Sequence, residues 1–138
     1  MKKTTLIIAI LLLFAPFLKA QTTDIPSGKA RIYILRKTGF AASAVKFNFI
    51  VNEKPICTIK NNTYTIIDID TGTISILAQN NFIKGDGKDN TSIKTTLENG
   101  KIYYFNLKFD GNKQYWDRIT IKEVAEAMIK KLKIATCN

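Results

Sequence analysis

Between residues 30 and 119 the hydrophobic positions fall at alternate places in short runs of Val, Ile, Tyr and Phe, each ended by Gly, Asn or Asp. An extended chain sends successive side chains to opposite faces, so this period of two predicts a series of half-buried strands. The runs cover residues 30–36, 45–51, 56–60, 64–69, 73–79, 91–97, 102–109 and 114–119. In the clearest of them Val45, Phe47, Phe49 and Val51 alternate with Lys46, Asn48 and Ile50, and in another Tyr103, Phe105, Leu107 and Phe109 share one face. Turns are expected at Asn52-Glu53-Lys54-Pro55, Asn61-Asn62, Asp70-Thr71-Gly72 and Asp110-Gly111-Asn112, with residues 80–90 as the longest exposed loop. Asn99-Gly100 suits the positive backbone dihedrals of a tight hairpin turn between 91–97 and 102–109.

The period then changes. Ile121, Val124, Ala125, Met128, Ile129 and Leu132 recur at the spacing of one helical face, with Lys122, Glu123, Glu126, Lys130 and Lys131 opposite. Thr120 and Glu123 fit a capping box, Glu126 is placed to pair with Lys130, and Lys130, Lys131 and Lys133 suit the helix C-terminus. The expected architecture is mainly β: an antiparallel β-sandwich of about seven to eight strands, with one C-terminal amphipathic α-helix, about 120–134, covering a face or edge.

The first twenty residues carry a different pattern. Lys2 and Lys3 precede a nearly continuous apolar run from Leu6 to Leu18, and Lys19-Ala20 follows, which is the layout of a secretory signal. The run is short for a membrane-spanning helix, which needs roughly 20 apolar residues, and no cysteine stands at the junction to carry a lipid, so no stable membrane anchor is expected. The expected organisation is a signal peptide at 1–20, a flexible polar leader at 21–29 and a single domain at 30–138, exported to the periplasm or secreted. Loss of the signal removes Lys2, Lys3 and Lys19, leaving 18 of 21 basic residues against 11 acidic ones and lowering the net charge from +10 to +7. The remaining lysines are scattered along the chain and read as solvated faces, with no dense run that would mark a nucleic-acid site.

The chain contains no histidine, which excludes imidazole general bases and histidine-ligated metals. No other frame for catalysis, a metal or a cofactor stands out. Asp68 and Asp70 read as acids flanking a turn, and the stretch from Asp86 to Asn90 lacks the acidic spacing of a calcium loop. Cys57 and Cys137 are the only cysteines; an exported chain makes a disulfide between them one reading, a buried Cys57 with a free thiol at Cys137 the other. Tyr115 and Trp116 are adjacent, so a strand turns one ring inward and the other outward, and an outward ring near Arg118 offers a contact surface, as does Phe40 in its small-residue loop. Packing of both rings on the sheet and folding of Phe40 onto the core are the commoner outcomes.

Residues 30–36, 39–45, 51–54, 70–72 and 100–105 together resemble an uncharacterised domain of short exported bacterial proteins, itself similar to PEGA-type surface sandwiches. Their shared features are turn glycines and core aromatics, although Glu53 stands where such a turn usually has Gly. The resemblance implies an envelope-associated sandwich with no catalytic residues to carry over. The function expected is a non-catalytic binding or scaffolding module with a protein or glycan partner of the envelope. The alternative is an enzyme with an unrecognised histidine-free site built on carboxylates or Lys.

Overall fold

A computed structural model describes residues 24–40, 42–80, 91–110, 113–135 and 137. Among the described residues the strands are β1 (Lys29–Arg36), β2 (Phe47–Val51), β3 (Lys54–Ile59), β4 (Thr63–Asp70), β5 (Gly72–Gln79), β6 (Thr91–Leu97), β7 (Ile102–Asp110), β8 (Lys113–Ile119) and β9 (Lys133–Ile134), with one helix, α1 (Lys122–Ile129), before β9. They form two sheets, one ordered β8-β7-β1-β4-β9 and the other β3-β2-β5-β6. The protein is therefore mainly β, a sandwich with a C-terminal helix. Neighbouring strands are antiparallel except β1 with β7 and β4 with β9, which run parallel.

The period-two pattern sorts the residues as expected. Ala30, Ile32 and Ile34 of β1, Phe47, Phe49 and Val51 of β2, Ile74, Ile76 and Ala78 of β5, and Tyr103, Phe105 and Leu107 of β7 meet between the sheets. Each fully buried Phe, Ile or Leu contributes about 1.5–3 kcal/mol by leaving water. On the outer face of the five-stranded sheet, Tyr64, Tyr33 and Tyr104 form a row, the Tyr33 ring centroid lying 6.4 Å from that of Tyr64 and 5.0 Å from that of Tyr104. Burial raises the Tyr104 hydroxyl's pKa, and nearby Tyr33, Glu126 and Glu123 add to the effect.

Several connections differ from the sequence expectation. Asn99-Gly100 does not close a hairpin, because β6 and β7 belong to different sheets. It forms a corner between the sheets: Gly100 has φ 71°, and its N–H donates to the Lys29 carbonyl at 2.8 Å. The Asn99 side-chain oxygen accepts from Gly28 N–H at 2.9 Å. Ser27-Gly28, within the stretch expected as a leader, forms a turn that this corner holds. The hairpin between β2 and β3 is a two-residue turn with Asn52 at φ 47° and Glu53 at φ 66°. Pro55, which lacks an N–H, is accommodated because β3 is an edge strand.

The helix is shorter than its periodicity suggests. Ile121 is the N-cap and makes no side-chain capping bond, so the Thr120–Glu123 box does not form; Glu126 pairs with Lys122 at 3.6 Å instead of with Lys130. Lys131 and Leu132 N–H groups donate three residues back, to Met128 and Ile129, tightening the end of the helix. The chain then joins β4: Lys133 N–H donates to Asn62 O and Ala135 N–H to Tyr64 O. Pairing with β4 thus replaces the last helical turn. Ala125 and Leu132 of the apolar stripe are buried, whereas Ile121 and Val124 stay exposed.

The two sides of the sandwich are closed differently. At β6 and β8, Trp116 Nε1 donates to Thr91 O and Thr91 Oγ1 donates to Gln114 O, both at 3.0 Å. Opposite, Cys57 of edge strand β3 and Cys137 just beyond edge strand β9 form a disulfide with Cα atoms 5.0 Å apart. Thr65 Oγ1 donates to Cys137 Sγ at 3.1 Å.

Candidate functional site

The strands bring lysines that are far apart in sequence to one end of the sandwich. Lys37 follows β1, Lys46 precedes β2, Lys60 follows β3, and Lys113 and Lys133 open β8 and β9. Pairing of Arg36 with Thr63, Thr63 with Lys133, Phe47 with Ile59 and Asp110 with Lys113 sets these positions at the same end. All five are exposed, and none has a carboxylate within ion-pair distance among the described residues. The opposite end is mixed: Glu53, Asp70 and Glu98 stand among Lys29, Lys54 and Lys101, and Lys29 pairs with Asp70 at 2.7 Å. The scattered lysines are thus not evenly solvated faces. Asp110 closes β7 at the same end, so among the described strand-end residues this end carries five lysines and one acid, against three of each at the other.

Beneath the lysine end lies Arg36, a fully buried cation at the last position of β1. Nη1 donates to the carbonyls of Val45 and Ile59, and Nη2 donates to Ala42 O at 2.6 Å. The guanidinium lies 4.7 Å from the Phe47 ring centroid and 6.0 Å from that of Phe109. Burial lowers its pKa to about 10, so it remains charged at neutral pH. Carbonyl dipoles and ring faces therefore stabilise this charge where the described residues provide no carboxylate. The arrangement fastens one side of the β1–β2 loop. The other side is held by Asn61, whose Oδ1 accepts from Thr38 N–H at 2.8 Å and whose Nδ2 donates to Thr38 O at 3.0 Å.

Between these fastenings Phe40 is fully exposed, at 101% of its reference area. It does not fold back onto the core. Of the other expected contact residues, Tyr115 faces outward on β8, while Trp116 faces the core, its ring 5.4 Å from that of Phe49. Arg118 shares the inward face with Trp116 and lies 5.0 Å from the Tyr103 ring centroid. Period-two geometry thus divides Tyr115 from Trp116 and Arg118, so the four do not form one surface. Arg118 instead borders a hollow of about 240 Å³ with Ile102, Tyr104 and Thr120.

Asp68 and Asp70 share the outer face of β4, each opposite a β1 cation. Arg31 Nε and Nη2 donate to the two Asp68 oxygens at 2.7 Å, and this bidentate bond holds the Asp68 carboxyl below its usual pKa. Both acids are engaged in cross-strand ion pairs. A wider hollow of about 540 Å³ on the outer face of the four-stranded sheet is lined by Ile50, Asn52, Glu53, Ser75, Leu77 and Lys94. No group of three or more acids or cysteines among the described residues is placed to hold a metal ion, and no described helix is long and apolar enough to cross a membrane. The Asp86–Asn90 stretch lies outside the described residues.

No curated protein matches the chain. The family model for DUF2846, described as a protein of unknown function, matches residues 26–126, from the turn before β1 into α1. By that match the chain belongs to the DUF2846 family.

Proposed function

We propose that this chain is exported and serves the cell envelope as a non-catalytic binding or scaffolding module, with its contact surface at the lysine end. The observation that carries this reading is Phe40, fully exposed on a fastened loop among five lysines with no described acidic partner. Large apolar side chains held in water within a charged rim are a feature of contact surfaces. Export is supported by the signal-like first twenty residues and by the Cys57–Cys137 disulfide, a bond that persists in oxidising compartments. Kinship with PEGA-type surface sandwiches is part of the same proposal.

Fractionation of cells expressing the full chain tests export: the protein should leave the cytoplasm with both cysteines oxidised. Immobilised protein should then retain envelope material, and Phe40→Ser or Lys60→Glu should abolish retention. Cytoplasmic protein with free thiols overturns export, and retention insensitive to both substitutions overturns the contact surface.

A further inference from the structure

We infer that the lysine end docks reversibly on a bilayer containing anionic phospholipid, with Phe40 entering the headgroup layer. This inference rests on the contact surface proposed above and names its partner. Three observations converge on it. First, Lys37, Lys46, Lys60, Lys113 and Lys133 come from five different strand ends and so form a broad patch instead of a linear track. Such a patch fits a charged plane, whereas a track fits a single polymer chain. Second, Phe40 supplies an apolar group at the same end, and a bilayer offers anionic headgroups and an apolar interior within one contact. Third, the loop that carries Phe40 is fastened by Arg36 and Asn61, so presenting the ring requires little additional ordering of its base.

The charge at the opposite end sets the orientation. There Glu53, Asp70 and Glu98 are offset by Lys29, Lys54 and Lys101, so only the lysine end is drawn to an anionic surface and the strands should stand with that end toward the membrane. The outer face of the four-stranded sheet, with its Asn52–Glu53–Lys94 hollow, is then left free for a second contact.

Vesicle co-sedimentation tests the inference with the chain as the cell delivers it, comparing pure phosphatidylcholine with mixtures containing phosphatidylglycerol. Binding should require phosphatidylglycerol and weaken steeply as salt rises from low to physiological strength. Each lysine near an anionic surface contributes about a fivefold gain in affinity, so Lys60→Ala with Lys133→Ala should weaken binding roughly 25-fold and flatten its salt dependence. Phe40→Ala should weaken it by about tenfold while keeping the salt dependence. These residues are exposed, and unchanged melting curves would show that the variants remain folded. Equal binding to both vesicle types overturns the inference, as does indifference to Phe40→Ala. Binding to dextran sulfate that survives Phe40→Ala, without binding to vesicles, also overturns it and identifies an acidic polymer as the partner, leaving the contact surface intact. Loss of retention of all envelope material would instead remove the contact surface itself.

Discussion

Removal of the disulfide is the perturbation whose size can be worked out most directly. Cys57 and Cys137 are separated by 80 positions, so the bond removes the closure entropy of a long loop from the unfolded chain. On the chain-entropy account this contributes roughly 4–5 kcal/mol, which is comparable with half the stability of an ordinary domain. The native state loses something as well. Strand β9 has only two residues and is held to β4 by the Lys133 and Ala135 N–H groups, so without the bridge it should fray before the rest of the sandwich opens. Cys57→Ala, Cys137→Ala and the double variant remove the same bond and should lose nearly the same stability. Urea titration followed by circular dichroism should show a deficit of about 4 kcal/mol, with a fall in melting temperature on the order of 15–30 °C. Hydrogen exchange should show loss of protection at Ala135 while the amides of β1 and β7 stay protected. A deficit below about 1 kcal/mol in all three variants would refute the loop-closure reasoning. Unequal losses in the two single variants would show that packing of one cysteine, and not the bond, dominates.

Other regions yield further expectations. Arg36→Met should destabilise the fold by about 2–4 kcal/mol, because three carbonyls lose a charged donor while only the cost of burying the cation is recovered; limited proteolysis should then cut within residues 37–46. Asp68 has a depressed folded-state pKa, so its contribution is present above the ordinary value of 3.8 and is lost as pH falls through the lower folded value. Acid titration of stability should therefore be shallower for Asp68→Asn than for the wild type below pH 4 or so. Glu53 adopts φ 66° in the β2–β3 turn, so Glu53→Gly should raise stability by about 0.5–1 kcal/mol in urea titration, and any loss would contradict the strain assigned to that turn.

The alternation of Val45 to Val51 and of Tyr103 to Phe109 is the direct imprint of a two-faced sheet, and so the core was legible in the sequence. Sheet membership was not. Asn99-Gly100 has the chemistry of a hairpin, but a local turn signal cannot distinguish strands that pair from strands that cross between sheets. The helical period runs on past the end of α1 because Leu132 fits it equally well when buried after a tightened turn. The lysine end was hidden for a related reason. Lys37, Lys46, Lys60 and Lys113 border strands of alternating direction, so they converge only when the ends of upward strands are set beside the starts of downward ones. Arg36 is the last residue of the 30–36 run, and nothing local signals that the β1–β2 loop closes over it.

Contact at the lysine end can be mapped residue by residue. The most direct measurement is a map of backbone amide shifts during titration with phosphatidylglycerol-containing bicelles. Docking through the lysine end should change residues 37–40, 42–46, 60–63, 113–114 and 133, with the largest changes near Phe40 and none at the Asn52, Gly72 and Gly100 turns. Changes centred on those turns, or spread along the outer face of the four-stranded sheet, would contradict it.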